Sequence, residues 1–175
     1  SGKSTLINLL PRIYDATQGQ VLMNGIDIRQ LSQAELRSHL GVVPQKALLF
    51  DGTVASNLQY GKPDATEEEM WHALEVAQGK DFVSGMPQGL ESSISQGGTN
   101  VSGGQRQRLA IARAIIRRPD VYIFDDSFSA LDFKTDAKLR QALSHETKNA
   151  AVLIVAQRVT TVLNADRIVV LDEGK

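Results

Sequence analysis

The segment Val121-Tyr122-Ile123-Phe124-Asp125-Asp126 constrains the fold more than any other: four consecutive apolar residues, rich in β-branched and aromatic side chains, run into two adjacent carboxylates. A run apolar on both faces predicts a strand buried inside a parallel sheet, and such a sheet needs crossover connections packed on its faces. Carboxylates at the carboxyl end of such a strand stand where open α/β sheets hold their ligands. The simpler alternative is a buried strand ending in a polar turn, with Asp126 or Ser127 capping the next helix. A second apolar run, Val152-Leu153-Ile154-Val155, leads into Ala156, Gln157 and Arg158 and reads as another buried strand.

The 175 residues are about the size of a single domain. A formal charge of −1 leaves no polyanion-binding character, so nucleic acid is not an expected partner. The chain has no cysteine, which excludes a disulfide framework and a cysteine-based metal site and fits a reducing cytosol. No apolar run approaches the roughly 20 residues that span a bilayer, so a membrane role would depend on other segments. The first residue is Ser1 rather than Met and the last is Lys175 after a turn-like Asp-Glu-Gly; both ends read as cut.

Two stretches are suited to holding anions. Ser1-Gly2-Lys3-Ser4-Thr5 matches the second half of the phosphate-loop pattern, and Leu6, Ile7, Leu9, Leu10 and Ile13 follow at helical spacing, with Pro11 bending or ending that helix. There, backbone N–H groups and a helix N-terminus take phosphate oxygens, Lys3 reaches the β/γ-phosphates, and Ser4 is suited to Mg²⁺. The ordinary alternative is a Gly-Lys-Ser tripeptide opening a helix. Because the first glycine of the pattern lies outside the chain, weak nucleotide binding by these residues alone is expected. The second stretch is Val101-Ser102-Gly103-Gly104-Gln105, which opens a helix with Leu109, Ala112, Ile115 and Ile116 on one face, Arg106, Arg113 and Arg117 largely off it, and Pro119 as its stop. Two anion sites on so short a chain imply that one serves a partner's phosphates.

Between them, residues 19–28 alternate around Asn24-Gly25 and predict an antiparallel hairpin. Ser32 and Glu35 predict a capped helix through Leu36 and Leu40, and Gly41 to Pro44 a short strand with Gln45 at its end. Residues from about 53 to 118 read as predominantly helical, with an acidic helix start over 64–69, a short helix at Asp81-Phe82-Val83 and a glycine-rich loop over 95–100. Trp71 is expected in a core or interface role. The tail from Asp166 reads as one more strand entering a hairpin.

Taken together these motifs resemble the nucleotide-binding domain of an ABC transporter. Ser1 to Thr5 resembles the end of Walker A, Gln45 the Q-loop, Val101 to Gln105 the signature with Val for Leu, Asp125 the Walker B aspartate, and Ser129-Ala130-Leu131-Asp132 the D-loop. The wording around Leu36–Gln45 and Leu49–Thr53 is similar to exporter-type domains. The resemblance implies an α/β fold with a P-loop NTPase core of mostly parallel sheet in two parts, 1–52 and 119–175, an antiparallel hairpin region, and an inserted α-helical subdomain over 53–118. It implies ATP and Mg²⁺ as ligands, with Ser4, Gln45 and Asp125 on the metal side. It implies a head-to-tail pair of such domains, each signature completing the partner's ATP site. It also implies a transmembrane permease on the same longer polypeptide, placing the domain at the cytoplasmic face of a membrane, with the permease's coupling helix received within 53–94.

Two positions depart from the family pattern. Asp126 stands where a glutamate general base is usual, and Gln157 where a switch histidine is usual; His39, His72 and His145 lie elsewhere in the chain. The shorter carboxylate sits about 1.5 Å further back, and a base must come within roughly 2.6–3.2 Å of its proton. Glutamine hydrogen-bonds but carries no charge and shuttles no proton. Asp126, Gln157 and Gln45 are therefore the expected catalytic positions of a site that holds ATP and turns it over slowly, within a heterodimer. The alternatives are an ordinary homodimeric exporter ATPase, a soluble ABC ATPase acting on chromosomes or ribosomes, or a nucleotide sensor.

Overall fold

The computed structural model describes residues 2–174; Ser1, named above with the phosphate loop, lies outside them. Helix α1 (Lys3–Ile7) ends before Pro11, so the apolar residues that follow it lie in turns. Strands β1 (Leu22–Met23) and β2 (Ile26–Asp27) form the expected antiparallel hairpin, with Leu22 opposite Asp27. Asn24 and Gly25 both take positive φ, 51° and 80°, as the tight turn of such a hairpin requires. Helix α2 (Gln33–Ser38) starts where Ser32 accepts the Glu35 N–H. It ends two residues before Leu40, which instead opens strand β3 (Leu40–Val43).

Strand β4 (Gly52–Thr53) leads into helix α3 (Val54–Gln59), then α4 (Glu67–Val76) and α5 (Lys80–Ser84). Thr53 and Thr66 close reciprocal caps with Ser56 and Glu69 at the starts of α3 and α4. Strand β5 (Ser93–Ile94) pairs antiparallel with β4, a link that residues this short give no periodicity to predict. Helix α6 (Gly103–Ile116) follows the glycine-rich loop, then strand β6 (Val121–Asp125), helix α7 (Phe133–Glu146), strand β7 (Ala151–Val155) and helix α8 (Val159–Val162).

The main sheet is parallel, in the order β3-β6-β7, so the carboxylate-bearing strand is the central one. Its alternate side chains face opposite layers. Ile123 packs with Ile7 of α1 and Val155 of β7, whereas Tyr122 and Phe124 join the large core built on α3, α4 and α6. That is why the run is apolar at every position. Asp132, rather than Asp126 or Ser127, caps α7. Helix α6 is buried on more than the single face the spacing predicts, because Ala110, Ile111 and Ala114 are enclosed as well.

The expected tail strand does not form: residues 167–171 are non-regular, with Ile168, Val169 and Val170 exposed. A strand needs a ladder of hydrogen bonds to a neighbour, and among the described residues no strand pairs with this segment. Among the described residues no helix is long and apolar enough to cross a membrane.

Candidate active site

The site grows out of the parallel register. Val43 lies opposite Phe124, and Asp125 opposite Val155. The next residues of each strand, Gln45, Asp126 and Gln157, are therefore delivered to one carboxyl edge of the sheet. The side chains meet: Gln45 Nε2 donates to Asp126 Oδ2 at 3.2 Å, and Gln157 Nε2 donates to the same oxygen at 3.0 Å. Asp126 is 9% exposed and its backbone is left-handed, with φ 48°. Aspartate tolerates that region better than longer side chains do. The Asp126 N–H donates to the Val155 carbonyl at 2.9 Å, fixing the turn against β7. A cleft of about 180 Å³ opens beside it, lined in part by Asp126, Ser129, Gln157, Arg158 and Thr161.

The phosphate-loop residues stand beside the same strand end. Helix α1 packs on β6 through Ile7 and Ile123, and Ser4 Oγ donates to Asp125 Oδ1 at 3.3 Å. Gly2, which precedes the helix, has φ 81°, a conformation open to glycine. Ser4 and Thr5 are exposed and Lys3 is partly so. A hydroxyl beside a carboxylate is a hard-oxygen pair, and Gln45, donating through Nε2, keeps its Oε1 for a further ligand. That donor set suits Mg²⁺, which takes few protein oxygens and completes its shell with water and phosphate.

The signature residues form a second cluster. Ser102 accepts the Gln105 N–H at 3.2 Å while Gln105 Oε1 accepts the Ser102 N–H at 2.9 Å, leaving the next N–H groups of α6 directed outward beside two side-chain-free residues. Arg106 donates to the carbonyls of Gly98 and Val101, tying the glycine loop to the helix. The D-loop lies close by: a Cβ on Gly104 would stand 3.5 Å from the Ala130 carbonyl. Ser129 Oγ bonds the Asp126 carbonyl at 2.9 Å, Leu131 is buried, and Ala130 and Asp132 are exposed. The hydroxyl and N–H of Thr135 hold the Asp132 carboxyl below the usual range.

Sequence reasoning passed over Ser127 and Gln107. Ser127 Oγ donates to the Val43 carbonyl at 2.7 Å, and Gln107 Nε2 to the Pro44 carbonyl at 3.3 Å. A signal for Gln107 was available, since it shares a helical stripe with Ile111 and Ile115, both buried.

The profile of the ABC transporter family matches residues 1–129. The chain is similar to an uncharacterized ABC transporter ATP-binding protein of Mycobacterium tuberculosis, 53% identical over 178 residues that cover 100% of this chain and 30% of the relative. It is similar to a Staphylococcus aureus protein named for multidrug export and as an ATP-binding/permease protein, 43% identical over 99% of this chain and 30% of the relative. Among solved structures, a bacterial Atm1-family ABC exporter with ATP bound matches 99% of this chain and 30% of its own, at 37% identity and a TM-score of 0.95. The chain thus spans about 30% of the length of the curated relatives it matches.

Proposed function

The chain belongs to the ABC transporter family, with that family's α/β P-loop fold, and from this premise we propose that it is the ATP-binding segment of an exporter whose own ATP site turns over slowly. In this reading the core comprises 1–52 and 119–175, with 53–118 as the helical insertion that meets a permease on the same longer polypeptide. ATP is held between this chain's phosphate loop and the signature of a second such domain, at the cytoplasmic face of a membrane. The relatives named for export and permease function support the transport assignment.

Lys3 and the first turn of α1 bind the β- and γ-phosphates, and Ser4, Asp125 and Gln45 supply oxygens to Mg²⁺. When bound, that ion neutralises charge on the transferred phosphoryl group. Ser102 to Gln105 present N–H groups to the partner's nucleotide, and Ser129 to Asp132 line the contact between the two domains. In this reading Asp126 is the base that would receive the proton of an attacking water, and Gln157 the amide that would orient it.

The observation that carries the slow-site assignment is the shared acceptor. Asp126 Oδ2 takes both amides, at 3.2 and 3.0 Å. The shorter side chain is thereby tied to both flanking strand ends and is not free to extend toward a water beside the γ-phosphate. Neither amide titrates, so neither relays the proton onward. Withdrawal of a catalytic group by about 1 Å costs on the order of 10²-fold. The partner's site, completed by this chain's signature, is then the faster one.

Single-turnover hydrolysis by the full-length protein, alone and with its partner, tests the assignment. The expected result is retained ATP with slow cleavage by the protein alone and fast cleavage by the pair, unchanged by Asp126→Asn. Fast cleavage by the protein alone overturns it and identifies an ordinary homodimeric ATPase.

A further inference from the structure

Gln107 is a polar residue where the helix calls for an apolar one. It is 2% exposed, on the same stripe of α6 as Ile111 and Ile115. A buried amide is costly unless it is hydrogen-bonded. Its Nε2 finds the carbonyl of Pro44 at 3.3 Å, across 63 positions of sequence. The preceding carbonyl, of Val43, accepts from Ser127 Oγ at 2.7 Å in a buried contact. The last carbonyl of β3 and the one that follows it are thus held by two different elements. One grip comes from the turn after β6 and the other from α6. The residue immediately beyond both is Gln45, whose amide reaches Asp126.

We propose that Gln107 is a positioning residue that, with Ser127, clamps the Val43-Pro44 backbone and so makes the placement of Gln45 follow the position of the signature helix. Helix α6 carries the Ser102-Gly103-Gly104 turn at its start and Gln107 about one turn further on, within a single 14-residue helix. A shift of α6 when its N-terminus engages phosphate therefore pulls on the Pro44 carbonyl. At 3.3 Å the bond lies just beyond the usual N–H···O range, where a small displacement strengthens or releases it. Gln45 then reports, inside this chain's own site, whether the signature is engaged in the other. The link rests on the ATP-binding reading above; the clamp itself rests on these contacts alone.

The test uses the full-length protein with any cysteines outside this segment replaced, since the 175 residues contain none. A spin label is placed at exposed Lys46 by K46C, and a control label at exposed Ser144 by S144C. Gln107→Leu, near in shape but without a donor, is expected to shorten the rotational correlation time at position 46 severalfold without nucleotide. It is expected to leave position 144 unchanged and to abolish the response of position 46 to Mg-ATP. Affinity for a fluorescent ATP analogue should stay within about twofold, because one hydrogen-bond donor in α6 is all that is removed, whereas a general loss of fold would mobilise both labels. Ser127→Ala, the opposite jaw, should give the same pattern and carries the test if Gln107→Leu does not fold. Unchanged mobility at position 46 in both variants overturns the clamp. Absence of Mg-ATP binding by the unsubstituted protein instead overturns the ATP-binding reading, and the nucleotide-free mobility still decides on the clamp.

Discussion

Replacing Asp126 with glutamate perturbs the one atom that both amides share. The change adds one carbon–carbon bond, about 1.5 Å. In the parent site Oδ2 accepts at 3.2 and 3.0 Å, so a carboxylate carried that far outward cannot keep both bonds as they are. It must move past the amides toward the phosphates. Recovering a displacement of this size is expected to raise the single-turnover rate by about 10- to 100-fold. A cost accompanies it. Residue 126 has φ 48°, a region that aspartate relieves by local hydrogen bonding and glutamate does not, with a penalty of about 1 kcal/mol. For a chain of this size that lowers Tm by about 2–4 °C. The assay is quench-flow single turnover with full-length protein in excess over labelled ATP, paired with a thermal melt. The same measurements on Gln157→His and on the double variant complete a cycle. Because residues 126 and 157 touch, the combined effect should differ from the sum by about 0.5–3 kcal/mol. A glutamate variant that folds, binds ATP and cleaves no faster than the parent refutes the geometric argument for the slow site.

Other predictions concern the frame that holds the site. Burial, with the nearby Glu146 charge, pushes the Tyr122 hydroxyl up to about 12. The unfolded chain thus releases that proton first, near pH 10, and stability present below pH 10 is lost toward pH 12 by up to about 2–3 kcal/mol; Tyr122→Phe should flatten that decline in urea unfolding. Gly61→Ala would set a Cβ 2.3 Å from the Arg113 carbonyl of α6, so a loss of about 1–3 kcal/mol is expected in the same assay. Asn57, 1% exposed, accepts the Phe50 N–H and donates to the carbonyls of Phe50 and Thr53. Asn57→Ala should cost about 2–4 kcal/mol by leaving those groups unpaired, and should increase hydrogen exchange at Phe50.

Much of this was legible because the motifs are local. The Asn24-Gly25 turn, the Ser32 cap, the helix starts at 64–69 and 101–105 and the two-faced apolar run at 121–124 each carry their cause within a few residues. What the chain order hides is contact between distant residues. Gln45 and Asp126 are 81 positions apart, and their meeting depends on the β3–β6 register. The β4–β5 pair has two residues on each side and thus no period to detect. The tail from Asp166 has the composition of a strand, but among the described residues no strand lies beside it to complete a ladder. Helix α6 was read as one-faced because Ala110, Ile111 and Ala114 are small or fall between the counted positions. In the structure β3 and the helices over 54–76 enclose it from several sides.

Read separately, Asp126 and Gln157 look like two losses; their geometry makes them one feature. They sit just beyond neighbouring parallel strands, β6 and β7, so whatever side chains occupy these positions meet. Aspartate is one methylene shorter than glutamate, yet the contact is kept at 3.0 Å. The turn beneath it is also kept, through the Asp126 N–H bond to Val155 at 2.9 Å. A carboxylate paired with an imidazole at this spacing has a titratable proton between its members. A carboxylate paired with an amide has only an N–H that does not titrate. The Asp126–Gln157 pair thus links the two strand ends mechanically without an acid–base path between them. Retaining the link while dropping the proton path is what a site needs if ATP there serves to hold two domains together.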